Sequence, residues 1–209
     1  MKMLFLFVFL TMLHPQSNTG NPFPAGCYMS FAEIQTKAPS VQCSLKIDKR
    51  ETDAKVWLGG NDFRLTCADK CISNAKIRST VWAYSNGSDL YINCMKLKKD
   101  SQPSFAQIIT YGRYLAFYRN RLSDKVQDAM ILGGVVGGAI ATGASEKPVE
   151  QDLFVIDTKT AKLFWVDSNY MTKILKEKPE LYNEFIHNGA KANDDAIQLQ
   201  YIRLLNQAG

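Results

Sequence analysis

Histidine is nearly missing from this sequence, with two in 209 residues. One of them, His14, follows the apolar N-terminal stretch described below, which leaves His187 as the imidazole of any folded domain. Ser-His-Asp or Cys-His catalysis would have to pass through that residue. His187 closes an amphipathic stretch, where a solvated ring favoured by the helix dipole is the ordinary use. Also missing are a Gly-x-Ser-x-Gly elbow and a zincin helix, the Gly-Lys-Ser/Thr of a P-loop, and the Gly-x-Gly-x-x-Gly of a dinucleotide site. The cysteines lack the paired short spacings of a zinc site. The sequence therefore offers no catalytic set, no cofactor fingerprint and no metal site. Carboxylates occur as Asp194-Asp195 and as the scattered Asp124, Asp128, Asp152 and Asp157, and adjacent acids at a helix start fit capping better than glycosidase work.

Charge of one sign is not concentrated either. Against 20 Asp+Glu stand 25 Lys+Arg, a net charge of +5 spread along the chain. The densest basic spots are Lys96-Leu97-Lys98-Lys99 and the stretch from Lys173 to Lys178, which Glu177 interrupts. A nucleic-acid footprint gathers charge on one surface and carries a recognisable module, so nucleic acid is excluded as a partner. Long hydrophobic runs are missing too: the one at the N-terminus falls short of the roughly 20 apolar residues of a membrane span.

That N-terminal run has another use. Lys2 precedes the apolar stretch Met3 to Leu13, which His14-Pro15-Gln16-Ser17 then breaks. A charged start, a short apolar core and a polar, helix-breaking exit are the parts of a secretory signal peptide. Residues 1–20 are read as that leader, cut after Ser17 or Gly20. Pro24-Ala25-Gly26-Cys27 ends like a lipidation site, but such a cysteine directly follows the apolar region with a Leu-like residue three places before it, and here Pro24 stands there.

Residues 21–209 suit one domain with a sizeable core. Its five cysteines, Cys27, Cys43, Cys67, Cys71 and Cys94, lie in the first half. Export permits disulfides, but the number is odd and the spacing matches no framework. Cys67 and Cys71 are close in sequence, and Cys94 could meet one of them across neighbouring strands; bridges and buried free thiols both remain open.

Along the chain, Ser30-Phe31-Ala32-Glu33 is a capping box opening a short helix, Phe31 to Lys37, that ends before Pro39. Strand-like alternation follows at Leu45/Ile47, Val56/Leu58 and Phe63/Leu65, with a turn at Gly59-Gly60-Asn61-Asp62. The strongest hairpin signal runs from Ile77 to Ile92 around Asn86-Gly87, which supplies the positive-φ positions of a tight turn. Phe105–Thr110 with Tyr114–Tyr118, and Leu153–Ile156 with Lys162–Val166, read as two further pairs. Helical spacing then takes over: a helix capped by Ser168, one with Pro179 in its first turn, and one from about Asp194 burying Ile197, Tyr201, Leu204 and Leu205. Strands first and helices last predict an α+β fold: an antiparallel meander with C-terminal helices packed on it and a short N-terminal helix. The aromatics Trp57, Trp82, Tyr84, Tyr91, Tyr111, Tyr114, Phe117 and Tyr118 sit at strand positions, where core packing outweighs use as a sugar or peptide platform.

One insertion stands apart. Ala129 to Ala144 carries no charge, and Gly133/Gly137 and Gly134/Gly138 are spaced by four, which on a helix makes a small-residue ridge. At about 16 residues it would be roughly 24 Å long as a helix, short of a roughly 30 Å hydrocarbon core. Three uses compete: tight packing on the sheet, a membrane-seeking or self-associating surface formed by Gly133, Gly134, Gly137 and Gly138, and a phosphate-cradling loop, which lacks its motif.

Several of these segments occur in a familiar order. Gly26-Cys27-Tyr28-Met29-Ser30 precedes the short helix; Val81-Trp82-Ala83-Tyr84-Ser85-Asn86-Gly87 leads into Leu90-Tyr91-Ile92-Asn93. Then come Tyr111-Gly112-Arg113-Tyr114-Leu115-Ala116-Phe117, the glycine-rich stretch, Phe154-Val155-Ile156-Asp157 and Lys178-Pro179-Glu180-Leu181. Together they resemble a domain-of-unknown-function family of secreted Bacteroidetes proteins, over most of the mature chain. Two turns depart from that pattern, at Asn86-Gly87 and at Thr160-Ala161-Lys162. The resemblance implies export in a Gram-negative envelope, whether periplasmic, outer-membrane associated or secreted, and a compact domain; it implies no activity and no site residues. Two functions are expected: a non-enzymatic module binding a protein partner or a membrane surface through the glycine-rich segment, or a small extracytoplasmic hydrolase using a cysteine or carboxylate. Mass spectrometry of the mature full-length product should find its N-terminus just after Ser17 or Gly20; a retained Met1 or a lipidated Cys27 would overturn the leader reading.

Overall fold

The computed structural model describes residues 21–50, 60–67, 69, 71–97, 104–120, 151–187 and 189–208. The expected leader, the Val56/Leu58 strand with Trp57, Asp124, Asp128 and the glycine-rich segment with Gly133, Gly134, Gly137 and Gly138 lie outside them. The fold is α+β, with antiparallel sheets first and helices last.

Among the described residues nine strands form two sheets. The first holds β1 (Gly26–Tyr28), β2 (Lys46–Lys49), β3 (Phe63–Thr66), β4 (Ala83–Ser85), β5 (Leu90–Asn93) and β6 (Phe105–Gln107) in the order β1-β4-β5-β6-β3-β2. The second holds β7 (Tyr114–Asn120), β8 (Gln151–Asp157) and β9 (Lys162–Trp165) in that order. The first sheet curls until its edges approach. Cys27 in β1 exchanges backbone hydrogen bonds with Val41, its N–H donating at 2.8 Å and its carbonyl accepting at 3.4 Å, and Val41 lies on the chain leading into β2. A disulfide from Cys27 to Cys43 braces the same junction, with Cα atoms 6.5 Å apart, inside the ordinary range for such a bridge.

Strand alternation sends side chains to three cores. Cys27, Leu65, Tyr84, Tyr91 and Phe105 point into the curled sheet, with Leu45 and Val81. There the buried Tyr84 hydroxyl accepts from the Leu45 amide at 3.0 Å, so a polar atom in an apolar interior is not left unpaired. The alternate residues Tyr28, Ala83, Leu90, Ile92 and Ala106 meet Leu115, Phe117 and Ile156 of the second sheet. The other face of that sheet, Tyr114, Ala116, Leu153 and Val155, is covered by the C-terminal helices.

Local sequence explains the helices. In α1 (Phe31–Thr36) the Ser30 hydroxyl accepts from the Glu33 amide and the Glu33 carboxylate reaches the amides of Met29 and Ser40. Burial raises the Glu33 pKa, but those two amides and the hydroxyls of Ser40 and Ser30 outweigh it, so the net shift is downward. Strand β3 packs against α2 (Asn74–Ser79), which is capped by Ser73, and α3 (Cys94–Leu97) follows β5 directly. Then come α4 (Ser168–Leu175), capped by Asp167 rather than Ser168, α5 (Pro179–His187), a 3-10 turn at Gly189–Asn193 and α6 (Asp195–Gln207). Asp194 caps α6, accepting from Ala196 at 2.8 Å and Ile197 at 3.3 Å. Its buried residues Gln198, Leu199, Tyr201, Ile202 and Leu205 recur at helical spacing.

Two expected pairings differ. The hairpin is shorter than predicted: Ile77 belongs to α2, and only Ala83–Ser85 pairs with Leu90–Asn93. β6 and β7 do not pair with each other; β6 joins β5 and β3, and β7 joins β8, leaving one isolated bridge between Thr110 and Ala116. Nearness in sequence suggested a hairpin, but β6 is completed by residues from two earlier strands.

Polar clamps hold the joints. Asn61 donates to the carbonyls of Gln107 and Tyr118, at 3.0 and 2.9 Å, and accepts from the Gln107 amide, tying one sheet to the other. Asn206, in the last turn of α6, accepts from the Tyr114 amide at 2.9 Å and donates to the Tyr114 carbonyl at 2.8 Å. Gly112 allows this approach: at φ +147° it sits where an added Cβ would lie 2.5 Å from Asn206 Cγ. Gly112→Ala should therefore cost more than about 2 kcal/mol in urea unfolding. Asn206→Ala should cost about 1–3 kcal/mol for the unpaired backbone groups. In the double variant the penalties should sum to less than their total, because the clash partner is gone; strict additivity would overturn this account.

Candidate functional site

The cysteines sort into three environments. Cys27–Cys43 braces the curled sheet, Cys67 is joined to Cys71 just after β3, and Cys94 is free. Cys94 is 1% exposed among apolar side chains, and burial pushes its thiol up, the opposite of what a cysteine nucleophile needs. His187 is exposed, its Nδ1 donating to the Asn183 carbonyl 2.6 Å away within the same helix. None of the cysteines is among its hydrogen-bond partners in the described residues. Among the described residues no group of His, Cys, Asp and Glu could hold a metal, and no helix is long and apolar enough to cross a membrane.

The carboxylates are engaged in structure. Asp194 is a helix cap, Asp152 stands opposite Arg119 in the β7–β8 register, and Asp157 faces Arg113 at 3.7 Å. The densest polar cluster surrounds Arg113. Its guanidinium makes two hydrogen bonds to Glu177, one of them at 3.2 Å, and lies 4.9 Å from the Tyr114 ring centre. The Glu177 hydrogen bond chiefly raises the Arg113 pKa, and the Arg113 guanidinium in turn holds Glu177 below its ordinary value. Burial pushes Tyr114 up to about 12, with Arg113 acting against it. Arg113 Nε and the Tyr114 hydroxyl are buried without a hydrogen-bond partner among the described residues. A guanidinium already shared by two carboxylates has little attraction left for an anionic ligand. This cluster fastens the start of β7 and the end of β8 to the connection between α4 and α5.

The surface feature that packing does not account for lies on the second sheet. The register places Phe117, Phe154 and Trp165 directly opposite one another across β7, β8 and β9, so the pleat puts all three on one face. Phe117 is fully buried and stacks on Phe154, with ring centres 6.0 Å apart. Trp165, at the outer end of the row, is 56% exposed. On the opposite face Phe164 stacks on Tyr170 at 4.8 Å, fixing β9 to α4. β9, the outer strand of this sheet among the described residues, thus presents an indole to solvent. Of the aromatics singled out in the sequence, Tyr84, Tyr91, Tyr114 and Phe117 are buried in the cores, Trp82, Tyr111 and Tyr118 are partly buried against them, and Trp57 lies outside the described residues. Trp165 escaped sequence reasoning because a tryptophan closing the run Leu163-Phe164-Trp165 looks like any apolar strand residue. Only the strand order makes β9 an edge.

Glu177→Gln should lower stability at neutral pH by less than about 1 kcal/mol, since Glu177 is mostly exposed and its pair is screened. A depressed carboxylate contributes above its ordinary pKa and loses that contribution as pH falls through the folded value. The variant and the parent should therefore converge in acid, below 4.5; a gap that persists there in urea unfolding would overturn the assignment. No curated protein and no solved structure matches this chain. Its residues 26–209 match the model of a family of unknown function, DUF6563, and the chain belongs to that family.

Proposed function

We propose that this chain is an exported, non-enzymatic interaction module of a Bacteroidetes-type cell envelope, and that a protein partner docks on β9 at Trp165. The observation that carries the reading is the aromatic row ending in an exposed indole on an edge strand. Tryptophan is enriched among the residues that dominate interfaces, and its N–H adds a directional donor to a large apolar face. An outer strand offers backbone groups to an incoming strand. Two disulfides support an oxidising compartment, in keeping with the leader-like N-terminus. The apolar segment 129–144, with Gly133, Gly134, Gly137 and Gly138, is a second contact in this reading, toward the partner or a membrane surface, and rests on the sequence alone. The alternative is a small extracytoplasmic hydrolase using a cysteine or carboxylate, and its cysteine form is disfavoured by the burial of Cys94 and the pairing of the other four.

A photo-reactive amino acid placed at position 165 of the full-length chain, expressed in its own cells, tests the proposal. Ultraviolet light should give a discrete heavier species in the envelope or secreted fraction, and moving the probe to buried position 117 should abolish it. A species of chain mass alone, or recovery of the protein in the cytoplasmic fraction, would overturn the reading.

A further inference from the structure

The two disulfides differ in ways that bear on chemistry. Cys27 is fully buried in the curled sheet and its bridge to Cys43 closes a separation of 16 residues. Cys67 and Cys71 are only four apart, Cys71 is exposed and Cys67 half-buried. A short loop gains less from closure than a long one. The Cys71 amide donates to Cys67 Sγ at 3.0 Å, and an N–H aimed at a sulfur favours the thiolate there. We propose that Cys67–Cys71 is a thiol–disulfide exchange site, opened by a thiol nucleophile that attacks the exposed Cys71 sulfur. This inference stands apart from docking at Trp165.

The electrons balance as follows. An incoming thiolate forms a bond to Cys71 Sγ, the Cys67–Cys71 bond breaks, and its electron pair leaves on Cys67 Sγ, where the Cys71 amide receives the charge. A second thiolate then attacks the mixed disulfide and releases Cys71 as a thiolate. Two external thiols become one disulfide, two electrons pass to the protein, and the two protons lost by those thiols are balanced by protonation of Cys67 and Cys71. Exchange rates rise with access and with the stability of the leaving thiolate. The other bridge fails on that second count. Attack at half-buried Cys43 would expel the Cys27 thiolate into an apolar interior, where desolvation disfavours the charge. Opening the Cys67–Cys71 loop leaves its surroundings in place. β3 remains paired with β2 and β6, α2 keeps its Ser73 cap at 3.2 Å, and Ile72 stays anchored in the core.

The test incubates the folded full-length protein with reduced glutathione, quenches with N-ethylmaleimide and maps the peptides by mass spectrometry. Glutathione should appear on Cys71 and maleimide on Cys67, at least about tenfold faster than any opening of Cys27–Cys43, which must await global unfolding. A double variant, Cys67→Ser with Cys71→Ser, should keep the parent circular dichroism and form no adduct. Opening of both bridges at one rate, glutathione on Cys67 instead of Cys71, or loss of the fold in the double variant would each overturn the proposal.

Discussion

Strands β5 and β8 carry buried side chains on both faces, and the rest of the structure follows from satisfying both at once. Leu90, Tyr91, Ile92 and Asn93 are all buried, with Tyr91 directed into the curled sheet and Leu90 and Ile92 toward the second sheet. In β8, Leu153 and Val155 face the helices, whereas Phe154 and Ile156 face the first sheet. Each such strand needs a covering layer on either side. The first sheet supplies one by curling on itself, and the second by recruiting α4, α5 and α6. A single flat meander would have left one face of these strands in water, at roughly 25 cal/mol for each Å² of apolar surface left uncovered.

Joining layers in this way creates seams where backbone groups would be lost, and asparagine fills them. Asn61 and Asn206 each present a donor and an acceptor to a strand backbone. Asn93, itself in β5, ties that strand to the helices beside it, donating to the carbonyls of Arg78 and Val81 and accepting from the Met95 amide. Buried ion pairs are used sparingly. Burial raises the pKa of Asp62 even though Arg50 hydrogen-bonds to it and acts to lower it, so desolvation wins at that pair. Its folded value lies above its unfolded one, and its contribution to stability is present in acid and lost as pH rises through the folded value. Glu33 and Glu177 carry the opposite sign.

What lies outside this framework is where function is sought. Every polar clamp and most of the aromatics serve the cores, which is why the catalytic inventory is thin. Trp165 and the Cys67–Cys71 bridge are different: Trp165 and Cys71 are both exposed. In the two proposals, one would provide apolar surface for recognition and the other a reactive bond.

Much was legible in the chain itself, because it depends on neighbours close in sequence. The capping box at Ser30 and Glu33, the Asn86-Gly87 turn, the β8–β9 hairpin, the proline-led helix at Pro179 and the period of α6 are local matters of hydrogen bonding and side-chain spacing. The α+β order followed from them. Sheet membership did not, since β6 finds its partners in β5 and β3 and the strand order β1-β4-β5-β6-β3-β2 depends on long-range pairing. The hairpin expected from Ile77 gives way to α2 there, because Ile77 suits either element until the curled sheet buries it. Which cysteines meet was open for the same reason, as Cys27 reaches Cys43 only when the sheet curls. The exposure of Trp165 and of Cys71 was likewise a tertiary decision: solvent access is set by which strands stop short of covering a residue, and no local pattern records that.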